Sequence, residues 1–165
     1  TYEIFTKGDA KYGVSNFLGR VFMPCIDCPF RAADAIVNKI KGETPVILLD
    51  FHGEATSEKN AFAWYLDGRV SADIGTHTHV PTADERVLPK GTAYITDVGM
   101  VGGRNAVIGI ARQQALQRFL TSRPQRFEPS RDGLFLSAVF VEIDPATGRA
   151  QSITREVLAE DGSDE

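Results

Sequence analysis

The chain has 165 residues, of which 42% are apolar and 24% are charged; this size and composition fit one globular domain and exclude a disordered protein. Four of its acids lie in the last six residues, so residues 1–159 carry 18 acidic and 18 basic side chains. A neutral body gives no electrostatic signature for nucleic acid or a membrane surface, and no apolar run reaches the roughly 18–20 residues of a membrane helix. We expect a cytoplasmic protein with a frayed acidic tail over residues 160–165.

The first half of the chain alternates strand and helix patterns. It predicts a strand over residues 12–22, a helix over 30–41, a strand over 44–52, a helix from Thr56 or Ser57 to Leu66, and a strand over 69–75. Apolar residues recur at helical spacing in the first helix, and the continuous apolar run of the second strand suits a strand covered on both faces. We expect the side chain of Thr56 or Ser57 to cap the second helix. In that helix we expect Phe62, Tyr65 and Leu66 to face inward and Trp64 to be a core residue.

The second half contains shorter elements and ends in a hairpin. The sequence predicts short strands over 85–88 and 92–98, a glycine-rich surface loop over 99–105, a helix over 107–121, and two alternating strands over 134–158. The expected buried residues of the last helix are Ile110, Ala115, Leu116, Phe119 and Leu120. Because no repeat or linker divides the chain, we expect residues 1–165 to form a single α/β domain of mixed β-sheets flanked by helices.

The two cysteines form a CxxC motif, Cys25 to Cys28, between two prolines. One CxxC supplies half of a typical structural zinc site, and the chain has no further cysteine to complete it. Thioredoxin-like redox chemistry would place such a pair at a strand-to-helix turn, but the flanking sequence is otherwise unlike that motif. We therefore favour a reduced, structural pair of loop cysteines.

All three histidines lie between positions 52 and 79, and two of them form the HxH of GTHTHV (75–80). In an extended segment, residues i and i+2 project to the same side, so His77 and His79 would point to one region. His52 ends a strand that we expect to be a neighbour, and it would complete a cluster of imidazoles, the commonest biological metal ligands. Asp50, and more weakly Glu54, are candidates to orient a metal-binding histidine by contacting the side of its ring that faces away from the metal. Alternatively, each histidine is an ordinary hydrogen-bonded residue at a strand end.

Other chemistry finds little support in the sequence. There is no GxSxG motif of a serine hydrolase, and GMVGGR lacks the Lys-Ser/Thr of a phosphate-binding loop. Asp97 follows a predicted strand, where a turn-forming role is favoured over a role at the site. Asp84 and Glu85 are predicted to be solvated loop charges.

Longer strings of residues resemble one bacterial family. DFHGEATSEK (50–59) and GTHTHVPTADERVLPKGTAYITDVGM (75–100) are similar to segments of the YmdB-type metallophosphoesterases, with weaker matches at NFLGRVFMP (16–24) and AVIGI (106–110). These enzymes belong to the calcineurin-like superfamily. The resemblance therefore implies the C-terminal part of a four-layer αββα fold, and a chain that is the C-terminal portion of a longer protein.

The same resemblance implies a role for each histidine. GTHTH corresponds to the GHxH motif of the superfamily with one extra threonine, so His52 and His77 would serve one metal ion and His79 a second. The intact enzyme would use two ions (Fe, Mn or Zn) and an activated hydroxide to hydrolyse phosphodiesters, including cyclic nucleotides. The superfamily's other metal ligands, and its histidine that protonates the leaving group, have no counterpart in this sequence. We therefore expect no catalytic residue in this chain, weak metal binding, and no activity alone.

Two other functions stay open. One is a non-catalytic regulatory or interaction module on the same scaffold. The other is a different metallohydrolase, such as a relative of capsule-synthesis proteins, against which DFHGEATSEK argues. The expected partner is a small phosphodiester substrate, and the sequence leaves homo-oligomerisation open.

Overall fold

The chain folds into two β-sheets and three helices over residues 1–160, the residues that the computed structural model describes. The elements are β1 (Tyr2–Lys7), β2 (Ala10–Leu18), α1 (Pro29–Lys41), β3 (Ile47–His52), α2 (Thr56–Leu66), β4 (Ala72–Thr76), β5 (Arg86–Val87), β6 (Ala93–Ile95), β7 (Val101–Gly103), α3 (Arg112–Thr121), β8 (Leu134–Ile143) and β9 (Ala150–Ala159). None of the described helices is long and apolar enough to cross a membrane.

The larger sheet contains six strands in the order β1-β2-β3-β4-β6-β5. The four central strands run parallel, and β1 and β5 pair antiparallel at the two edges. Parallel strands present their carboxyl ends at one edge of a sheet, where functional groups collect. In the register of β3 and β4, His52 lies opposite Thr76. The loop that carries the HxH therefore begins beside His52.

The two faces of this sheet bury different partners. Helices α1 and α2 cover one face, where the ring of Phe62 is fully buried with its centroid 4.3 Å from that of Phe51 and 5.4 Å from those of Phe17 and Phe30. The three-stranded sheet β7-β8-β9 covers the other face. The apolar cluster between the sheets contains Leu48, Ala72, Ile74, Ala93, Val141, Ala150 and Ile153. The expected α/β class, with mixed sheets flanked by helices, is confirmed.

Two segments form strands that the sequence analysis did not predict. Strand β1 pairs with β2 through the two-residue turn Gly8-Asp9, in which Gly8 adopts φ +59°, as the tight turns of antiparallel hairpins require. The glycine-rich segment 99–105 is not a free loop, because Val101–Gly103 pairs with β8. A Cβ on Gly103 would lie 2.9 Å from the backbone oxygen of Ser130, so glycine permits this close approach.

The last helix is shorter than predicted, and most of its apolar side chains are exposed. Ile108 and Gly109 have φ angles of 45° and 88°, which interrupt the helical backbone, so α3 begins only at Arg112. Of the residues expected to be buried, Ala115 is buried, Ile110 is half-buried, and the others are exposed: Leu116, Phe119 and Leu120.

Three local expectations for α2 were also wrong. The helix follows Ala55, and neither Thr56 nor Ser57 caps it with its side chain. Trp64 is 51% exposed, on the outer side of the helix. Tyr65 is exposed as well, whereas Phe62 and Leu66 are buried as predicted. The inward stripe is therefore narrower than the apolar pattern indicated.

Both cysteines carry free thiols, and Cys28 is the residue before α1. At the other end of the chain, Glu160 is exposed beyond β9. The rest of the predicted acidic tail, residues 161–165, lies outside the described residues.

Candidate metal centre

The carboxyl ends of β3 and β4 bring two of the three histidines into contact. His52 is the last residue of β3, and His77 directly follows Thr76 at the end of β4. Nδ1 of His77 lies 2.9 Å from Nε2 of His52; the ring planes meet at 81° and their centroids are 4.7 Å apart. Two adjacent parallel strands therefore aim one nitrogen of each imidazole at the same point.

A chain of hydrogen bonds fixes the far side of the His52 ring. The Thr76 hydroxyl donates to Oδ1 of Asp50 at 2.6 Å, and the same hydroxyl oxygen lies 3.0 Å from Nδ1 of His52. A hydroxyl has one hydrogen, so Thr76 accepts the Nδ1–H of His52. Asn16 donates to the other oxygen of Asp50 at 2.7 Å. With its proton on Nδ1, His52 directs the lone pair of Nε2 at His77.

Glu54 fixes the far side of the His77 ring. Its Oε2 lies 2.9 Å from Nε2 of His77. A carboxylate only accepts hydrogen bonds, so Nε2 carries a proton. In the neutral ring, Nδ1 of His77 then carries the lone pair and faces Nε2 of His52. Both imidazoles thus have their outer N–H occupied by an oxygen acceptor.

This arrangement fits a transition-metal ion. Imidazole nitrogens suit zinc and iron. Two nitrogens that bind one ion at about 2.1 Å lie about 3.4 Å apart at the tetrahedral angle of zinc and about 3.0 Å apart at the right angle of an octahedral site. The separation of 2.9 Å between the facing nitrogens is closer to the octahedral value. In the neutral rings two lone pairs are directed at one point, while the outer N–H groups keep their oxygen partners. Histidines that bind metals are oriented in this way by carboxylates and hydroxyls behind them.

His79 lies apart from this pair. Strand β4 ends at Thr76, and His77 and His79 have φ angles of 107° and 66°; the expectation of an extended backbone here was wrong. Nδ1 of His79 lies 3.1 Å from the carbonyl oxygen of Ile108, so it is the donor, and Nε2 keeps its lone pair. Over residues 1–160, no three His, Cys, Asp or Glu side chains converge as a metal cluster.

The HxH loop is anchored to a buried ion pair that the sequence analysis missed. Nζ of Lys59 in α2 lies 2.7 Å from Oδ2 of Asp97, and both side chains are at most 1% exposed. The same oxygen accepts the N–H of Thr78 at 3.0 Å, and Oδ1 accepts the N–H of Gly99 at 2.9 Å. Asp97 does form the expected turn, but it also joins a helix to the residue between His77 and His79.

The two acids after the HxH are less solvated than predicted. Asp84 accepts hydrogen bonds from the hydroxyl of Thr82 at 2.6 Å and the N–H of Thr96 at 3.1 Å. Glu85 faces Arg155 of β9 at 3.7 Å. These contacts tie the segment after the HxH to the end of β6 and to the second sheet.

Two buried carboxyl groups near the loop have pKa values shifted in opposite directions. Burial would raise the pKa of Asp97, but hydrogen bonds from Lys59 and from the loop backbone hold it below its usual value. Burial raises the pKa of Asp73, on β4, well above its usual value; the charge of Asp50 adds to the shift and that of Lys59 opposes it. The ion pair is thus Lys59 with Asp97, while burial favours the neutral form of Asp73 through its raised pKa.

Residues 1–156 match the family model described as YmdB-like protein. Among characterised sequences, the chain is 48% identical over 158 residues to a protein of Bacillus subtilis (strain 168) named 2′,3′-cyclic-nucleotide 2′-phosphodiesterase. That match covers 95% of this chain and 60% of the Bacillus protein.

Two crystal structures share the fold. One, described as a hypothetical protein from Thermus thermophilus, has a TM-score of 0.90 and 42% identity, over 96% of this chain and 62% of that one. The other, described as a novel phosphatase from Mycoplasma pneumoniae, has a TM-score of 0.86 and 38% identity, over 98% of this chain and 58% of that one. The chain spans less than two thirds of the length of each of these relatives.

Proposed function

The chain belongs to the family of YmdB-like proteins, and on that premise we propose that it forms the histidine side of the active site of a metal-dependent phosphodiesterase. The observation that carries the proposal is the pair of facing nitrogens, Nε2 of His52 and Nδ1 of His77, 2.9 Å apart at the ends of adjacent strands. The substrate class is a small phosphodiester, and cyclic nucleotides fit the name of the Bacillus relative.

In this proposal, three histidines of the chain hold ions of iron, manganese or zinc, and other residues orient those histidines. His52 and His77 bind one ion through their facing nitrogens, and Nε2 of His79 binds a second. Asp50 acts on His52 through the hydroxyl of Thr76, and Glu54 acts on His77 directly. Bound metal ions supply an activated water nucleophile at neutral pH and neutralise negative charge on the phosphoryl oxygens.

Three imidazoles do not fill two coordination shells. A zinc ion takes at least four ligands, and iron or manganese usually take more. We therefore propose that the isolated chain binds metal weakly, does not hydrolyse phosphodiesters alone, and is a partial domain of a longer enzyme that supplies the other ligands and the proton donor. Titration of the isolated chain with Mn²⁺ or Zn²⁺ tests this; two sites filled at stoichiometric metal would contradict it.

The catalytic proposal is tested by replacing His77 in a protein that contains this chain and hydrolyses 2′,3′-cyclic AMP. His77→Ala should abolish hydrolysis with the circular dichroism spectrum unchanged, because it removes one of the two facing nitrogens. Asn38→Ala, at an exposed position of α1, is the control and should keep full activity. Unchanged turnover in His77→Ala would remove the proposal.

One observation favours a second candidate function, a non-catalytic module on the same scaffold. Over residues 1–160 no cluster of three metal-binding side chains forms. The His79 ring forms a hydrogen bond with a backbone carbonyl oxygen and does not join the other two histidines. A module of this kind would bind no metal even within the longer protein. Metal analysis of that protein after purification separates the two functions, since the enzyme retains ions and the module does not.

We also propose a cytoplasmic location. The thiols of Cys25 and Cys28 are free, and pairs of free thiols persist where the compartment is reducing. Full reaction of both thiols with a maleimide in freshly lysed cells would agree with this location, and a pair that is already oxidised would not.

A further inference from the structure

The buried pair of Lys59 and Asp97 lies where three parts of the fold meet. Lys59 comes from α2, only seven residues after His52, and Asp97 follows β6. The Asp97 carboxylate accepts three hydrogen bonds, from the Lys59 ammonium and from the N–H groups of Thr78 and Gly99. Its own N–H donates to the hydroxyl of Thr82 at 3.0 Å. Asp97 thus ties α2 to Thr78 through its side chain and contacts Thr82 through its backbone.

The loop held by this carboxylate has an unfavourable backbone. His77 and His79 both adopt positive φ angles, which are unfavourable for residues other than glycine and persist only where the surroundings enforce them. The residue between them, Thr78, is the one whose N–H is bonded to Asp97. The Asp97 carboxylate is fully buried, so this bond is made inside the protein, where its loss would leave the Thr78 N–H without an acceptor.

We propose that Lys59 and Asp97 are positioning residues for the metal-binding histidines. The ammonium keeps the carboxylate charged and fixed inside the protein, and the carboxylate fixes Thr78 so that the rings on either side point in different directions. This inference rests on the proposed function, because its consequence is metal affinity. The competing explanation is that the pair only stabilises the fold.

Stability and positioning are separated by removing both charges at once. Replacement of a buried ion pair by apolar side chains of similar size is often neutral for stability, whereas loss of one partner leaves a buried charge. The double variant Lys59→Met with Asp97→Leu leaves no buried charge and should therefore lose less stability than Asp97→Leu alone. It still lacks the acceptor for Thr78 and Gly99.

Asp67 provides a matched control. It is also a buried aspartate, and both of its oxygens accept the N–H of Lys90, at 3.2 and 3.1 Å. It lies at the C-terminal end of α2, before β4 begins, so it is at the opposite end of the strand from the HxH loop. Asp67→Asn should weaken the fold without moving His77 or His79.

The experiment compares the wild-type chain, the double variant, Asp97→Asn and Asp67→Asn by nuclear magnetic resonance and by Zn²⁺ titration. In the double variant and in Asp97→Asn we expect faster hydrogen exchange at the Thr78 amide, shifted ring resonances of His77 and His79, and Zn²⁺ affinity lower by about 10- to 100-fold. Asp67→Asn should keep wild-type values of all three.

Recovery of wild-type Zn²⁺ affinity and ring resonances by the double variant would overturn the inference, as would equal changes in Asp67→Asn. If the double variant does not fold, Asp97→Asn decides by the same measurements. If the wild-type chain binds no Zn²⁺ at millimolar concentration, the proposal that the isolated chain holds a metal ion fails, and the phosphodiesterase proposal is decided separately by His77→Ala in the longer protein. The positioning inference is then decided by the Thr78 exchange rate and the ring resonances alone.

Discussion

Replacing Asp73 by asparagine should stabilise the protein, and by more at higher pH. Asp73 is 1% exposed on β4, between Leu49 of β3 and Tyr94 of β6. Neither of its carboxyl oxygens has a hydrogen-bond partner among the described residues, and burial raises its pKa well above 3.8. Asparagine has nearly the same shape and cannot ionise. The substitution therefore isolates the cost of an ionisable group at this position.

The sign of the effect follows from the number of bound protons. In the unfolded chain the Asp73 carboxyl ionises near pH 4, whereas in the folded protein it keeps its proton to a much higher pH. The stability that a raised pKa provides is complete below the unfolded pKa and is lost as pH rises toward the folded pKa. Within that interval the free energy of unfolding falls by about 1.4 kcal/mol per pH unit. The asparagine variant should not show this loss.

The assay is urea unfolding of both proteins at about pH 5, 6 and 7. The stability difference between Asp73→Asn and wild type should grow by up to about 1.4 kcal/mol with each pH unit, a large fraction of the 5–15 kcal/mol of a typical domain. Asp144→Asn is the control: hydrogen bonds from Thr147 and Ala146 hold the pKa of Asp144 below its usual value, so its effect should not change over this range. A constant difference for Asp73→Asn would refute the reasoning.

Three further predictions concern the core, the last helix and the histidine pair. Phe62→Ala removes a fully buried ring that contacts three others and should lower the free energy of unfolding in urea by about 3–5 kcal/mol; a loss below about 1 kcal/mol would mean that this core is not packed as described. Phe119→Ala removes a ring that is 77% exposed and should change that free energy by no more than about 0.5 kcal/mol. A loss above about 2 kcal/mol would contradict the exposure of this ring. Thr76→Val removes the hydroxyl between His52 and Asp50 and should weaken Zn²⁺ binding about 10-fold, as measured by titration calorimetry. Thr76→Ser keeps the hydroxyl and should keep the affinity. Equal affinities in the two variants would show that the hydroxyl does not orient His52.

The sequence predicted those elements that have a strong apolar pattern and that end at residues typical of helix or strand termini. The helix over 30–41 and the apolar strand ending at His52 agree with α1 and β3 within a few residues. The helix predicted over 107–121 failed because its apolar spacing continues across Ile108 and Gly109, where the backbone turns to positive φ. Periodicity describes which residues are apolar, and it contains no information on such a turn.

For the site, the sequence predicted that strand ends would bring histidines together, and the parallel register of β3 and β4 does so for His52 and His77. It could not give the direction of His79, because that depends on positive φ angles in the loop. Lys59 escaped notice because a lysine in a helix is usually exposed. Its burial depends on a long-range contact with Asp97, 38 residues away.

The central claim is that Nε2 of His52 and Nδ1 of His77 bind one metal ion. Nitrogen resonances of ¹⁵N-histidine-labelled chain, recorded during addition of Zn²⁺, test it directly. We expect these two nitrogens to shift together as Zn²⁺ is added, while Nδ1 of His52 and Nε2 of His77 stay protonated toward Thr76 and Glu54. Zn²⁺ bound through the opposite nitrogens, or by His79 alone, would contradict the claim.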